Sequence, residues 1–184
     1  MLFQKSLLTV TLLAAVSLTA VSNANSAGTA TGSFKVNLKI DSVCNAAITN
    51  DGAGINFGSV NAGTAEATVG VKSSATAVVV KCSKNAPYIV NLTPASNAGA
   101  STTGSGTMAG PGTDTINYQL YSNAAATTVW GNTGTLAVVG NGVSGVGTGL
   151  LATPNTHTVY SKLTTTTDIQ LGDYSDTVKV AVTY

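Results

Sequence analysis

The chain has 184 residues, and only 8% of them are charged, against about 25% in an average soluble protein. All eight basic residues are lysines; one of them, Lys5, lies in a predicted export signal, and the remaining seven are balanced by seven acidic residues. That balance excludes the basic surface a nucleic-acid binder needs, the 43% hydrophobic content excludes a disordered chain, and a net charge near zero favours association.

Residues 1–24 read as a signal peptide: Lys5 in a short basic region, an apolar run from Leu7 to Val21, then Ser22-Asn23-Ala24 as a small-residue cleavage site. Cleavage after Ala24 or after Ala27 fits equally well. A membrane anchor is the competing reading, but the run is interrupted by Thr9, Thr11, Ser17 and Thr19 and is short for a span.

Gly28 to Gly32 form a lead-in. Phe34, Val36, Leu38 and Ile40 then alternate with polar residues, the period-two pattern of a strand with one buried face. We take residues 25–43 as an N-terminal extension containing this strand and residues 44–184 as one β domain. Cys44 and Cys82 are the only cysteines. An even count in an exported chain points to a disulfide, with two free buried thiols as the alternative. Closing a loop over 38 positions stabilises a fold by about 4 kcal/mol in the chain-entropy treatment.

Further strands are predicted at Ile55–Phe57, Ala75–Ser83, Tyr88–Thr93, Thr115–Ser122, Thr127–Trp130, Thr135–Val139, His157–Leu163 and Tyr174–Tyr184. Turn formers such as Asn50-Asp51-Gly52, Asn85-Ala86-Pro87 and Gly110-Pro111-Gly112 separate them. Ala95–Gly112 and Gly140–Asn155 read as long Gly/Ser/Thr loops, and no segment shows helical periodicity. Many short strands indicate a sandwich or barrel. In the last strand Val178, Val180, Val182 and Tyr184 face one way. A final core strand with no following partner is expected to leave an open edge, and open edges template pairing with another chain.

No catalytic set emerges. The single histidine, His157, is expected at a surface or turn. Asp168, Asp173 and Asp176 are close in sequence, as acid–base pairs or calcium ligands would be, but Gly172–Asp176 reads better as a turn into the last strand. Gly140-Asn141-Gly142-Val143-Ser144-Gly145 matches a dinucleotide-binding spacing. The next residues, Val146-Gly147-Thr148-Gly149, cannot start the helix that such a site requires. Asn91-Leu92-Thr93 is a glycosylation sequon inside a predicted strand. Trp130 and Tyr88, Tyr118, Tyr121, Tyr160 and Tyr174 are expected in the core rather than on a sugar-binding surface. No enzyme activity, metal or cofactor is therefore expected.

The alternating strand before Cys44, then Asn56-Phe57-Gly58, Val80-Lys81-Cys82, Pro87–Leu92, Tyr118–Tyr121, Trp130-Gly131, Val159-Tyr160, Gly172–Val178 and the final Tyr184 together resemble the spore coat protein U domain, the pilin fold of archaic chaperone–usher pili. The chain departs from that pattern in lacking arginine. The resemblance implies an incomplete immunoglobulin-like β-sandwich, completed by a donor strand from a neighbouring subunit. On that basis Phe34, Val36, Leu38 and Ile40 are the donor residues, and Val178, Val180, Val182 and Tyr184 line the acceptor groove and contact a chaperone. The implied partners are further copies of the chain, a periplasmic chaperone, an outer-membrane usher and minor or tip subunits, with export through the periplasm to the cell surface and a role in adhesion and biofilm formation. A spore or cell-coat protein with the same fold is the alternative. A tip adhesin would need a receptor domain upstream, for which this sequence has no room.

Overall fold

The computed structural model describes residues 28–48, 54–74, 78–97 and 102–184. The export signal at 1–24 and both cleavage sites lie outside the described residues. The chain divides into two units, Met1–Lys39 and Ile40–Tyr184.

In the first unit, residues 28–39 belong to no helix or strand. The strand expected over Phe34–Ile40 is thus not formed. Alternation gives these residues one apolar face, but a strand exists only beside a neighbour, and this segment is in none of the sheets. Phe34, Val36 and Leu38 are 84–88% exposed, and Ile40, the first residue of the second unit, is 81% exposed.

Among its described residues the second unit is all-β apart from one helical turn, α1 (Glu66–Val69), and a 3-10 turn at Ala95–Asn97. Its strands are β1 (Cys44–Ile48), β2 (Lys72–Ser73), β3 (Val78–Cys82), β4 (Pro87–Pro94), β5 (Ser105–Ala109), β6 (Thr115–Tyr121), β7 (Val143–Val146), β8 (Asn155–His157), β9 (Tyr160–Leu163) and β10 (Val178–Thr183). They form three antiparallel sheets in the orders β1-β3-β8, β10-β4-β7 and β2-β9-β6-β5. Cys44 and Cys82 are register partners in the first sheet and form a disulfide.

The inward positions of β3, β4, β6 and β9 meet in one core that includes Val80, Tyr88, Val90, Leu92, Leu120 and Leu163. Alternation accounts for β3, where Val78, Val80 and Cys82 are buried and Val79 and Lys81 are less so. It does not account for β4, which buries Ile89 and Asn91 on its other face as well. There Asn91 Nδ2 donates to the Gly134 carbonyl at 2.8 Å and Asn91 Oδ1 accepts from the Gly134 amide at 3.2 Å. A Cβ at Gly134 would run into Asn91 and Ile89, so glycine is what lets this loop lie on the strand. Trp130, 1% exposed, adds a bond from Nε1 to the Val90 carbonyl at 2.9 Å.

Several local expectations change. Thr127–Trp130 contributes only a bridge from Val129 to Tyr121, and Thr135–Val139 is a turn closed by Thr135 and Val138 rather than a strand. Conversely, β5 forms inside the expected loop Ala95–Gly112, and β7 inside Gly140–Asn155. Small, polar residues hid both strands: β5 reads Ser-Gly-Thr-Met-Ala and β7 Val-Ser-Gly-Val. Ile55–Phe57 keeps a single bridge, Ile55 to Ser74. The expected strand at His157–Leu163 is split between β8 and β9.

Candidate functional site, an open apolar groove

β10 is the end strand of its sheet. β4 pairs with it from Val178–Pro94 to Thr183–Ile89, and its other edge adjoins no strand among the described residues. Val178, Val180 and Val182 are half-buried and pack against the core, while Lys179, Ala181 and Thr183 are exposed. Tyr184 lies just past the strand end and is 51% exposed.

Beside β10 the sheets β10-β4-β7 and β2-β9-β6-β5 stand apart over two adjoining hollows of about 630 and 290 Å3. Ile55, Phe57, Met108 and Tyr174 line both, so the hollows form one continuous groove. Val178, Val180 and Leu92 line one wall of the smaller hollow, and Tyr118 and Leu120 face them. Ile116, Leu163 and Ile169 line the larger one. Apolar side chains that elsewhere in a sandwich meet a facing strand are here left partly uncovered.

Of the residues expected in the groove, Val178 and Val180 line it. Val182 packs against the core on the same side of β10, while Tyr184 is largely exposed. Sequence reasoning missed Leu92, Met108 and Ile169. Met108 sat in what read as a loop. Phe57 entered as the end of the predicted strand Ile55–Phe57 and through the Asn56-Phe57-Gly58 resemblance, not as a groove residue.

Several of the other candidate groups have structural partners. His157 is not a surface histidine: it ends β8 half-buried, with Nε2 2.9 Å from the Tyr88 hydroxyl and its ring edge-on to Tyr88 and Trp130. Burial pushes its pKa below the ordinary histidine value. Tyr88, Tyr118 and Trp130 are core residues, and Tyr121, Tyr160 and Tyr174 are half-buried. Asp176 is more than a turn residue. It accepts from the Tyr118 hydroxyl at 2.9 Å, from the Thr177 and Ser96 amides at 2.7 and 3.2 Å, and from the Ser96 hydroxyl.

Fold and groove together define an all-β sandwich whose described residues leave an apolar seam uncovered along one edge of β10. A family model described as the Spore Coat Protein U domain matches residues 30–181, and the chain belongs to that family. Among solved structures it is similar to a chaperone–tip adhesion subunit pre-assembly complex, CsuC-CsuE, from archaic chaperone-usher Csu pili of Acinetobacter baumannii. The identity is 22% and the TM-score 0.45, over 77% of this chain and 40% of that one. The chain therefore spans less than half the length of the solved chain it matches. No curated protein matches it.

Proposed function

We propose that this chain is the repeating structural subunit of a bacterial surface pilus, polymerised by strand addition. The observation that carries the reading is that one chain holds both halves of a joint. An apolar groove lies along the unpaired edge of β10, and Phe34, Val36, Leu38 and Ile40 form an alternating apolar row that is 81–88% exposed. The row spans six residue steps, about 20 Å at strand rise. The stretch from Val178 to Tyr184 spans the same six steps. A strand laid along β10 would satisfy its free backbone groups, and alternate side chains would fill the groove. Full burial of each apolar plug contributes about 1.5–3 kcal/mol. The near-neutral charge adds little repulsion between copies.

On this reading Phe34, Val36, Leu38 and Ile40 of one copy enter the groove of the next. Before that exchange a periplasmic chaperone fills the groove against Val178, Val180, Val182 and Tyr184, and an outer-membrane usher carries out the exchange. The product is a homopolymer at the cell surface that supports adhesion and biofilm formation, with minor or tip subunits as further partners. It is a structural role and not an enzymatic one. The family's description keeps a second reading in view, a spore or cell-coat protein built from the same joint.

The test is Leu38→Asp. Material sheared from cells expressing the parent chain is expected to run, unboiled in detergent, as a ladder of this subunit, with and without reduction. The variant is expected to give no ladder while still co-purifying with the chaperone. A ladder from the variant would show that the donor segment is wrongly assigned, and parent protein found only in spore coats would favour the second reading.

A further inference from the structure

The four residues before β10, Tyr174–Thr177, pass from one sheet to the other. Ser175 exchanges two backbone hydrogen bonds with Ala109 at the end of β5, each 3.0 Å. Three residues later Val178 is paired with Pro94 at the end of β4. The Asp176 carboxylate sits at the crossing. One oxygen accepts from the Tyr118 hydroxyl of β6 and from the Ser96 hydroxyl, and the other accepts from the Ser96 and Thr177 amides. Ser96 Oγ in turn accepts from the Thr107 amide of β5 at 2.9 Å. One side chain thus ties the start of β10 and the turn after β4 to β5 and β6. Hydrogen bonds to an ionised acceptor are about twice as strong as neutral ones.

Tyr118 is built for this contact. Its ring lies over Gly106, its register partner on β5, where a Cβ would collide with it. Burial first, and then Asp176, hold the tyrosine hydroxyl well above its usual range, so it remains a donor. Asp176, Tyr118, Tyr174 and Val178 all line the smaller hollow of the groove.

We propose that Asp176 is the positioning residue of the groove: its carboxylate is a strut between the two sheets that sets the width at which the groove stands open for an incoming strand. The proposal rests on the strand-acceptor reading above. An unfilled apolar seam tends to shrink by bringing its walls together. A fixed strut opposes that movement and reduces the ordering cost of filling the groove.

The experiment uses the full chain carrying Leu38→Asp, which disables its own donor segment, and a fluorescent peptide of residues 28–43 as probe. Adding Asp176→Asn or Tyr118→Phe is expected to weaken peptide capture about tenfold or more, the scale of one hydrogen bond to a charged group. The Ala109 and Ser175 amides are expected to exchange with solvent faster by a similar factor. Asn91→Ala, which loosens the loop at Gly134, is expected to lower the unfolding midpoint and leave capture unchanged. Tyr118→Phe keeps the test open should Asp176→Asn fail to fold. Parent-like capture, parent-like exchange, or an equal loss of capture in Asn91→Ala overturns the proposal. If the Leu38→Asp chain itself captures no peptide, the strand-acceptor reading falls. The exchange rates then decide alone whether Asp176 is a strut.

Discussion

β4 and β10 lie side by side in one sheet and share six register pairs, yet they live in different environments. β4 has β10 on one edge and β7 on the other, and five consecutive residues from Tyr88 to Leu92 are buried. The core covers one of its faces; the loop anchored by Asn91 and Gly134 covers the other. Among the described residues β10 has a partner strand on one edge only, and its apolar residues reach no further than half-burial. The difference separates two tasks within one sheet. The apolar surface of β4 is covered within the domain, whereas β10 carries apolar surface whose full value is realised only when something else covers it.

The largest loss should come from the β4 side. Trp130→Ala removes the side chain over β4 and its bond to the Val90 carbonyl, at an expected cost of about 3–5 kcal/mol. Against a total of roughly 5–15 kcal/mol for a typical domain, that leaves the chain marginal. Urea denaturation of the Leu38→Asp background measures it, and a loss under about 1 kcal/mol would contradict the central role given to β4. Cys82→Ser comes next. Losing the Cys44–Cys82 bridge should cost about 2–4 kcal/mol and release β1, whose Asn45, Ala46 and Ala47 are exposed.

A matched pair sharpens the comparison. Val90, fully buried, and Val180, half-buried, both point to the core. Val90→Ala should cost about 2–3 kcal/mol and Val180→Ala about 1 kcal/mol or less in the unpolymerised chain. In a fibre of the proposed kind the Val180 cost should rise towards the Val90 value. Equal costs in the unpolymerised chain would mean that β10 is already as well covered as β4.

How legible was this in the sequence? The all-β class was, because Val78-Val79-Val80 is a β-branched run and Thr115–Tyr121 and Val178–Thr183 place apolar residues at every second position. The half-buried face of β10 was equally plain. β5 and β7 were not, since Gly106 and Gly145 sit where the rings of Tyr118 and Tyr88 come close. Glycine selected for close approach looks, in one dimension, like glycine selected for a turn. Phe34–Ile40 is the opposite case: it has the pattern of a strand, yet it lies in none of the sheets formed by the described residues. Periodicity reports which face of a segment is apolar, not which chain supplies its neighbour. The groove needed Leu92, Met108, Phe57 and Ile169 together, residues up to 112 positions apart, and no spacing rule links them.

The smallest effect concerns the pH dependence of the β4 side. His157 joins β8 to β4 through Tyr88, and burial favours its neutral ring. In the Nδ1–H tautomer the Tyr88 hydroxyl donates to Nε2, an arrangement that protonation of Nε2 ends. Because the folded-state pKa lies below the unfolded value near 6.5, the unfolded chain takes up this proton first. Stability from His157 is therefore fully present above about pH 6.5 and falls as the pH drops towards and through the folded-state value. The ring is only half-buried, so solvent screens the effect and keeps it modest. His157→Gln removes the titration. Denaturation midpoints at neutral pH and at mildly acidic pH should converge for the variant relative to the parent. If the parent loses no more stability than His157→Gln on acidification, the histidine is not held neutral by its position against β4.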